Sequence, residues 1–289
     1  MQIVTDTGMD MFLPPELMPK VDIHIVRHAI TLDGKTYLSG QDIQSGELQE
    51  MLAKSESFPT TSQPSAGDFA AMYKKLAATD PDILSIHMSS GLSGTVNAAK
   101  AGAEMTPEAN VTIVDTKTLC AVVGWQVAAA GRALKAGWSK EKIIALIERI
   151  GAASESMYTL DDLKYLIHGG RISHMKGLIA SVLKLLPMIG VEKLGGTYAQ
   201  LGTERTFERA MKGLVELMKK HHVPGSALRV QVLHAYNPQA VMKLHDMIEP
   251  IFKCTFMPVG NMSPVLAAHT GPSMVGVAFA PQSVFADVP

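Results

Sequence analysis

The sequence predicts an α/β fold of two domains. A parallel, doubly wound α/β/α domain spans residues 1–158, and an α+β domain with a mixed or antiparallel sheet spans 159–289. Three observations lead to this prediction. The 289 residues exceed what one core usually fills. Strand and helix patterns alternate in the first half, as in parallel sheets covered on both faces. Hairpin signals then replace this alternation, and we expect a ligand in the cleft between the domains.

In the first domain, hydrophobic periodicity gives the elements and turn chemistry gives their ends. Asp33-Gly34 is a two-residue hairpin signal. Ser65 and Asp68 form a capping box that starts a helix near residue 66, and Ser139 caps another. In chain order the patterns predict strands at 3–4, 23–30, 83–88 and 111–114, and helices over 67–78, 96–105, 121–136 and 140–150.

The second domain shows fewer strand–helix–strand signals. A short helix over residues 161–168 should end at Gly169-Gly170, and a long apolar helix should lead to Leu186. Strands are predicted around 191, 198–201, 229–234, 252–259 and 274–280, with helices over 207–219 and 239–247.

Composition argues against several classes of protein. A net charge of −1, with no basic block longer than Lys219-Lys220, argues against a nucleic-acid partner. Two isolated cysteines fit a reducing cytosol. The apolar runs are shorter than the ~20 residues of a membrane span, and the first residues lack a signal-peptide pattern. We therefore expect a soluble, cytoplasmic protein, which is compatible with transient contact with a membrane.

Two polar segments precede predicted helices and carry no lysine or arginine. The first, residues 60–63, offers uncharged donors; the alternative is an ordinary capped loop with solvated hydroxyls. The second, residues 89–95, combines glycines with a helix N-terminus, which suits an anion. It lacks the spacing of a phosphate loop, and Thr95 replaces the last glycine of a nucleophile elbow. A purely structural turn is the alternative. Donors without a cation favour a carboxylate ligand.

Other candidate site residues carry weaker signals. His269 lies in a predicted Gly/Pro turn before an apolar strand, from which it could reach the cleft; a structural role is the alternative. Arg171 follows a glycine break and, taken alone, is a surface arginine. The ten histidines form no ligand spacing, so no metal is expected. No nucleotide motif is present, and no cofactor is expected.

Taken in order, these segments resemble the DegV family of fatty-acid-binding proteins, from residue 3 to about 280. The matching segments are Ile3-Val4-Thr5-Asp6, Asp33-Gly34-Lys35-Thr36-Tyr37, Thr60-Thr61-Ser62-Gln63-Pro64-Ser65, Ile86-His87-Met88-Ser89-Ser90, Leu92-Ser93-Gly94-Thr95, Val114-Asp115-Thr116, Leu163-Lys164-Tyr165-Leu166, Gly169-Gly170-Arg171-Ile172 and His269-Thr270-Gly271-Pro272.

The resemblance implies a lipid carrier that has no catalytic power of its own. Such proteins bury one long-chain fatty acid between two α/β domains. By position, Thr61, Ser62 and Ser93 would hold its carboxylate, with the Gly94 amide nearby and His269 from the other domain. The chain is similar to the fatty-acid-binding subunit of bacterial fatty acid kinase, in which a separate ATP-dependent kinase phosphorylates the carboxylate for phospholipid synthesis. There Arg171 would lie near the carboxylate and assist the kinase step.

The physical chemistry of a fatty acid fits this resemblance. Burying about 14 methylenes at ~0.8 kcal/mol each gains roughly 11 kcal/mol before ordering costs, which requires an enclosed apolar tunnel. Two alternatives stay open. One is a stand-alone hydrolase or phosphotransferase using Ser93, against which no histidine–acid pair is in evident register. The other is a scaffold that binds only protein.

Overall fold

A four-stranded parallel sheet organises the first domain of the computed structural model, which describes residues 1–174 and 185–289. In spatial order its strands are β2 (Ile23–Val26), β1 (Gln2–Asp6), β6 (Asp82–His87) and β7 (Asn110–Asp115). Every neighbouring pair is parallel, so all four carboxyl ends lie at one edge. In parallel sheets this edge is where ligands bind.

Helices cover both faces of this sheet, as the alternating pattern predicted. On one face, α2 (Ala66–Ala77) and α3 (Thr95–Glu104) bury Phe69 and Tyr73 against Val4. On the other face lies α4 (Cys120–Lys135), which packs against α5 (Lys140–Ala153). The capping box of α2 is confirmed: the Ser65 hydroxyl accepts from the backbone N–H of Asp68, 3.1 Å away.

A small antiparallel sheet lies beside the parallel one. Its order is β4 (Lys35–Leu38), β3 (Ala29–Leu32) and β5 (Thr60–Ser62). The hairpin prediction is confirmed, since Asp33 and Gly34 both have positive φ, 51° and 76°, as a two-residue turn of this kind requires. The single strand predicted over 23–30 is wrong. The chain breaks at Arg27-His28, and its two halves join different sheets.

A seven-stranded mixed sheet forms the second domain. Its strands, in spatial order, are β10 (Tyr198–Glu204), β9 (Leu186–Val191), β8 (Glu155–Thr159), β14 (Val275–Pro281), β11 (Ala227–His234) and β12 (Lys253–Phe256), with β13 (Gly260–Asn261) also paired to β11. The pairs of β11 with β12 and β13 are parallel, and the others are antiparallel. The expected domain boundary, between 158 and 159, falls inside β8.

The two domains share one continuous core. Helices α7 (Phe207–His221) and α8 (Pro238–Ile248) cover the outer face of the mixed sheet. Its inner face packs in the same apolar cluster as α4. Trp125 of α4 donates from Nε1 to the Oε1 atom of Gln231 on β11, 2.9 Å away. This buried bond fixes one domain against the other.

Three short helices depart from the sequence prediction. Helix α1 (Ser45–Leu52) was not predicted, and α6 (Lys164–His168) begins three residues later than expected. Helix α9 (Pro264–Thr270) includes His269, which the sequence predicted to lie in a Gly/Pro turn. Most of the long apolar helix predicted before Leu186 lies outside the described residues. Within the two described ranges, no helix is both long enough and apolar enough to cross a bilayer.

Candidate functional site

Strand β5 presents Thr61 to the second domain. Side chains alternate along a strand, so Thr61 points inward while Thr60 and Ser62 are exposed. The Thr61 hydroxyl lies 2.8 Å from Nε2 of His269. The bond joins positions 208 residues apart in the chain. Thr61 therefore lies where the domains meet, and Ser62 faces away from that junction.

The loop between β6 and α3 places Ser93 at the same junction. Its backbone N–H donates to the carbonyl of Ser89, 3.1 Å away, which closes a turn ahead of the helix. The Ser93 hydroxyl lies 2.7 Å from the Thr95 hydroxyl. Gly94 is the N-cap of α3, and the Gln63 side chain covers it so closely that a Cβ there would overlap the Gln63 amide. Any larger residue at position 94 would force the Gln63 amide to move.

His269 lies on the last turn of α9, and not in the Gly/Pro turn that the sequence predicted. A signal for this helix exists, because Ser263 followed by Pro264 is a common helix start. The ring is only 8% exposed. Burial lowers the pKa of His269 to about 3, and the positive charge of Arg171 and the nearby His28 act in the same direction. The imidazole is therefore neutral at pH 7.

Arg171 brings a positive charge to this junction. It follows Gly170, whose φ of +73° turns the chain after α6, and its Nη1 atom donates to the carbonyl of Gly169, 2.7 Å away. The side chain is half-buried, and it forms no ion pair with any carboxylate in the described ranges. Burial lowers the pKa of Arg171, and the nearby Tyr198 acts in the opposite direction. Within residues 1–174 and 185–289, the guanidinium thus has no anionic partner.

These side chains line one cavity of about 30 Å³ between the domains. Its lining combines polar and apolar side chains. The lining residues are His28, Thr61, Gln63, Met88, Leu92, Ser93, Arg171, Tyr198, Val265, Leu266 and His269. Of the six predicted site residues, the structure brings Thr61, Ser93, Arg171 and His269 together. Gly94 adjoins Ser93, and Ser62 does not line the cavity.

The sequence prediction missed two polar members of the cavity. Tyr198 comes from the edge strand β10, and His28 comes from the break between β2 and β3. Neither has a local motif. The break between β2 and β3 was not predicted. A continuous strand over 23–30 contains no loop from which His28 could reach the site.

The arrangement suits a small anion better than a metal or an acyl-transfer reaction. Hydroxyl donors and one guanidinium converge, as carboxylate recognition requires. Ser93 contacts the hydroxyl of Thr95 instead of an imidazole, so among the described residues it lacks an adjacent general base. Among the residues that the structure describes, one group has metal-ligand spacing. It consists of His245, Asp246 and Glu249, which lie at the end of α8, outside this cavity.

Comparisons with known proteins agree on one family. The sequence model described as "Uncharacterised protein, DegV family" matches residues 1–282. A DegV domain-containing protein of Staphylococcus aureus (strain N315) is 30% identical over 277 residues, which cover 95% of this chain and 96% of that protein.

Two solved structures share the fold. A DegV family protein from Thermus thermophilus, described by its fatty acid binding, is 28% identical with a TM-score of 0.83, covering 97% of this chain and 99% of that one. DegV from Bacillus subtilis, described as a fatty acid binding protein, is 26% identical with a TM-score of 0.84 over the same shares.

Proposed function

This chain belongs to the DegV family, and we propose that it binds a long-chain fatty acid and presents the carboxylate to an ATP-dependent kinase partner. One observation carries the proposal. The half-buried guanidinium of Arg171, which has no ion-pair partner among the described residues, lines the same small cavity as the Thr61 and Ser93 hydroxyls. A charge that is partly removed from water without a counter-charge carries a desolvation cost, and a bound carboxylate would supply the counter-charge.

Each polar side chain then has a definite role toward the carboxylate. Thr61 and Ser93 donate to its oxygens, and Arg171 compensates its charge. Because His269 is neutral and lies 2.8 Å from Thr61, it can donate from Nε2 and leave the Thr61 proton for the ligand. Gly94 keeps the loop close to Gln63. Ser62 has no role in this proposal, because its side chain is exposed on the other face of β5.

The acyl chain would leave the carboxylate past the apolar side chains of the cavity. Those side chains are Met88, Leu92, Val265 and Leu266. A volume of about 30 Å³ admits a head group, whereas ligand pockets typically span about 300–1,000 Å³. Fatty-acid binding therefore requires these apolar side chains to move apart. Burial of the acyl chain would drive that rearrangement, since each methylene contributes about 0.8 kcal/mol.

The proposed kinase step makes this chain the non-catalytic subunit of a fatty acid kinase system in the cytoplasm. Phosphorylation of the carboxylate yields an acyl phosphate, a precursor for phospholipid synthesis. Arg171 would then stabilise charge on the transferred phosphoryl group, as a guanidinium does in phosphoryl transfer. The sequence carries no nucleotide motif, so ATP would come with the partner. Transient membrane contact would suit the exchange of fatty acid.

The alternative proposal is a hydrolase that uses Ser93, and one variant separates the two. Ser93→Ala removes a carboxylate donor, so we expect fatty-acid affinity to fall about 10-fold. Acyl-ester turnover should be undetectable in both the wild-type protein and the variant. If wild-type protein hydrolyses acyl esters and Ser93→Ala abolishes turnover while lipid binding is retained, the enzyme account is correct and the carrier account is not.

A further inference from the structure

A buried chain of hydrogen bonds connects Ser93 to the carboxyl edge of the parallel sheet. The Ser93 hydroxyl lies 2.7 Å from that of Thr95, which lies 3.0 Å from Nε2 of His28. Nδ1 of His28 lies 3.0 Å from the hydroxyl of Thr7. Thr7, His28 and Thr95 follow β1, β2 and β6, which are neighbours in the sheet. Their strands end at the same edge, so the topology itself brings them together.

The far end of this chain fixes the direction of every hydrogen bond in it. The Thr7 hydroxyl accepts from the backbone N–H of His28, 3.0 Å away. It has one proton to donate, and in the described part of the protein Nδ1 of His28 is the acceptor beside it. Nδ1 must then be unprotonated. The ring proton therefore lies on Nε2, which donates to Thr95.

This direction determines what Ser93 offers to the cavity. Thr95 accepts from His28 and donates its own hydroxyl proton to Ser93. The backbone N–H of Thr95 also approaches the Ser93 hydroxyl, at 3.3 Å. Ser93 thus accepts twice and keeps its proton for a ligand. The reverse direction would direct the Ser93 proton to Thr95 and leave the buried Thr7 proton unpaired, which is unfavourable.

The surroundings of His28 keep its ring neutral, as this chain requires. His28 is 3% exposed, and burial lowers its pKa. The carboxylate of Asp6 opposes that shift, whereas His87 and Arg171 act with it. A doubly protonated ring would have no acceptor for the Thr7 proton.

We propose that His28 is a positioning residue that holds Ser93, through Thr95, as a hydrogen-bond donor to the ligand head group. This inference rests on the proposed function and adds a basis for head-group selectivity. A carboxylate only accepts hydrogen bonds, so it suits a site whose hydroxyls all donate. A fatty alcohol also needs an acceptor for its proton, and Ser93 held in this way does not offer one.

Paired ligands and paired variants test this inference. We would measure the affinities of hexadecanoate and 1-hexadecanol for wild-type protein, His28→Leu, Thr95→Val and the double variant. Each single variant should weaken hexadecanoate binding by up to about 10-fold, the loss expected for Ser93→Ala, and leave 1-hexadecanol binding nearly unchanged. The double variant should lose no more hexadecanoate affinity than the more strongly affected single variant, because the two substitutions interrupt the same chain of hydrogen bonds. Thr95→Ser, which keeps the hydroxyl, should retain wild-type selectivity.

A measurement on the wild-type protein removes the dependence on variants that fail to fold. Nitrogen-15 NMR of the histidine rings should show His28 protonated at Nε2 and not at Nδ1. The opposite tautomer, equal losses for acid and alcohol, or additive losses in the double variant would each overturn the role of His28. Wild-type protein that binds neither ligand would instead overturn the proposed function, and this inference with it.

Discussion

The backbone of Gly169 lies against the Nδ1 edge of the His269 imidazole. A Cβ at residue 169 would overlap that nitrogen, because α6 and α9 pack at this point. Gly169 has a φ of −70°, an ordinary value for any residue. Its requirement for glycine is therefore one of space and not of backbone conformation. The contact fixes the position of His269, and through it that of Thr61.

Gly169→Ala should consequently disturb both folding and binding. Overpacking beside a buried ring costs about 1–3 kcal/mol in the free energy of unfolding, and displacement of His269 should weaken fatty-acid binding at least about 10-fold. Urea titration and a fluorescent fatty-acid displacement assay would measure the two effects. Gly46→Ala is the matched control, since a Cβ there meets nothing within 4 Å. Unchanged affinity in Gly169→Ala would show that the contact does not position the site.

Thr61→Val removes a hydroxyl with almost no change of shape. The variant deprives the carboxylate of one donor and leaves Nε2 of His269 unpaired, so fatty-acid affinity should fall about 10- to 100-fold. Thr60→Val makes the same change at an exposed neighbour and should alter affinity by less than about 2-fold. Isothermal titration calorimetry distinguishes these outcomes. Equal effects at the two positions would mean that Thr61 has no direct role.

Arg171→Gln tests whether the carboxylate needs a positive charge. The substitution keeps hydrogen-bonding capacity but removes the charge, so hexadecanoate affinity should fall about 10-fold or more, and the fall should be smaller for 1-hexadecanol. Arg171→Lys keeps the positive charge but lacks the planar, bidentate guanidinium, so it should show a smaller loss of hexadecanoate affinity than Arg171→Gln. A loss of the same size for acid and alcohol would show that Arg171 acts through packing.

The low pKa of His269 predicts a stability that depends on pH. The ring titrates near pH 6.5 when unfolded but at about 3 in the folded protein. Between these two pH values the unfolded chain binds a proton that the folded protein does not. The contribution of His269 to the free energy of unfolding is therefore complete above pH 6.5 and declines as pH falls toward 3. The slope is at most about 1.4 kcal/mol per pH unit.

A difference measurement isolates this effect. Burial raises the pKa of Asp10 to about 6, which adds stability as pH falls and acts in the opposite direction. Comparing wild-type protein with His269→Gln cancels the Asp10 contribution. The stability advantage of the wild-type protein should shrink by about 2 kcal/mol from pH 7 to pH 5, measured by urea unfolding. A constant difference would mean that His269 has an ordinary pKa in the folded state.

The sequence predicted the features whose causes are local. The Asp33-Gly34 hairpin and the capping box from Ser65 to Asp68 each depend on a few adjacent residues, and both are confirmed. The break at Arg27-His28 depends on pairing with two different sheets, which hydrophobic periodicity does not encode. The periodic pattern therefore predicted one strand over 23–30, whereas β2 ends at Val26.

The same distinction applies to the site. The segment 89–95 could be singled out because a glycine-rich turn before a helix has a recognisable pattern, whereas the roles of Ser93 and Gly94 were implied by the family resemblance. The role of Ser62 was implied by the family resemblance, whereas strand alternation places its side chain on the face opposite Thr61. The cavity joins residues from both ends of the chain, such as His28 and His269, and only the tertiary structure brings these together.

Mass spectrometry of the purified protein determines whether the protein carries a fatty acid. The protein would be measured intact under native conditions and again after organic extraction, beside Arg171→Gln prepared in the same way. We expect one long-chain fatty acid per wild-type chain and a lower occupancy in the variant. Wild-type protein that carries no fatty acid and fails to bind added hexadecanoate would contradict it.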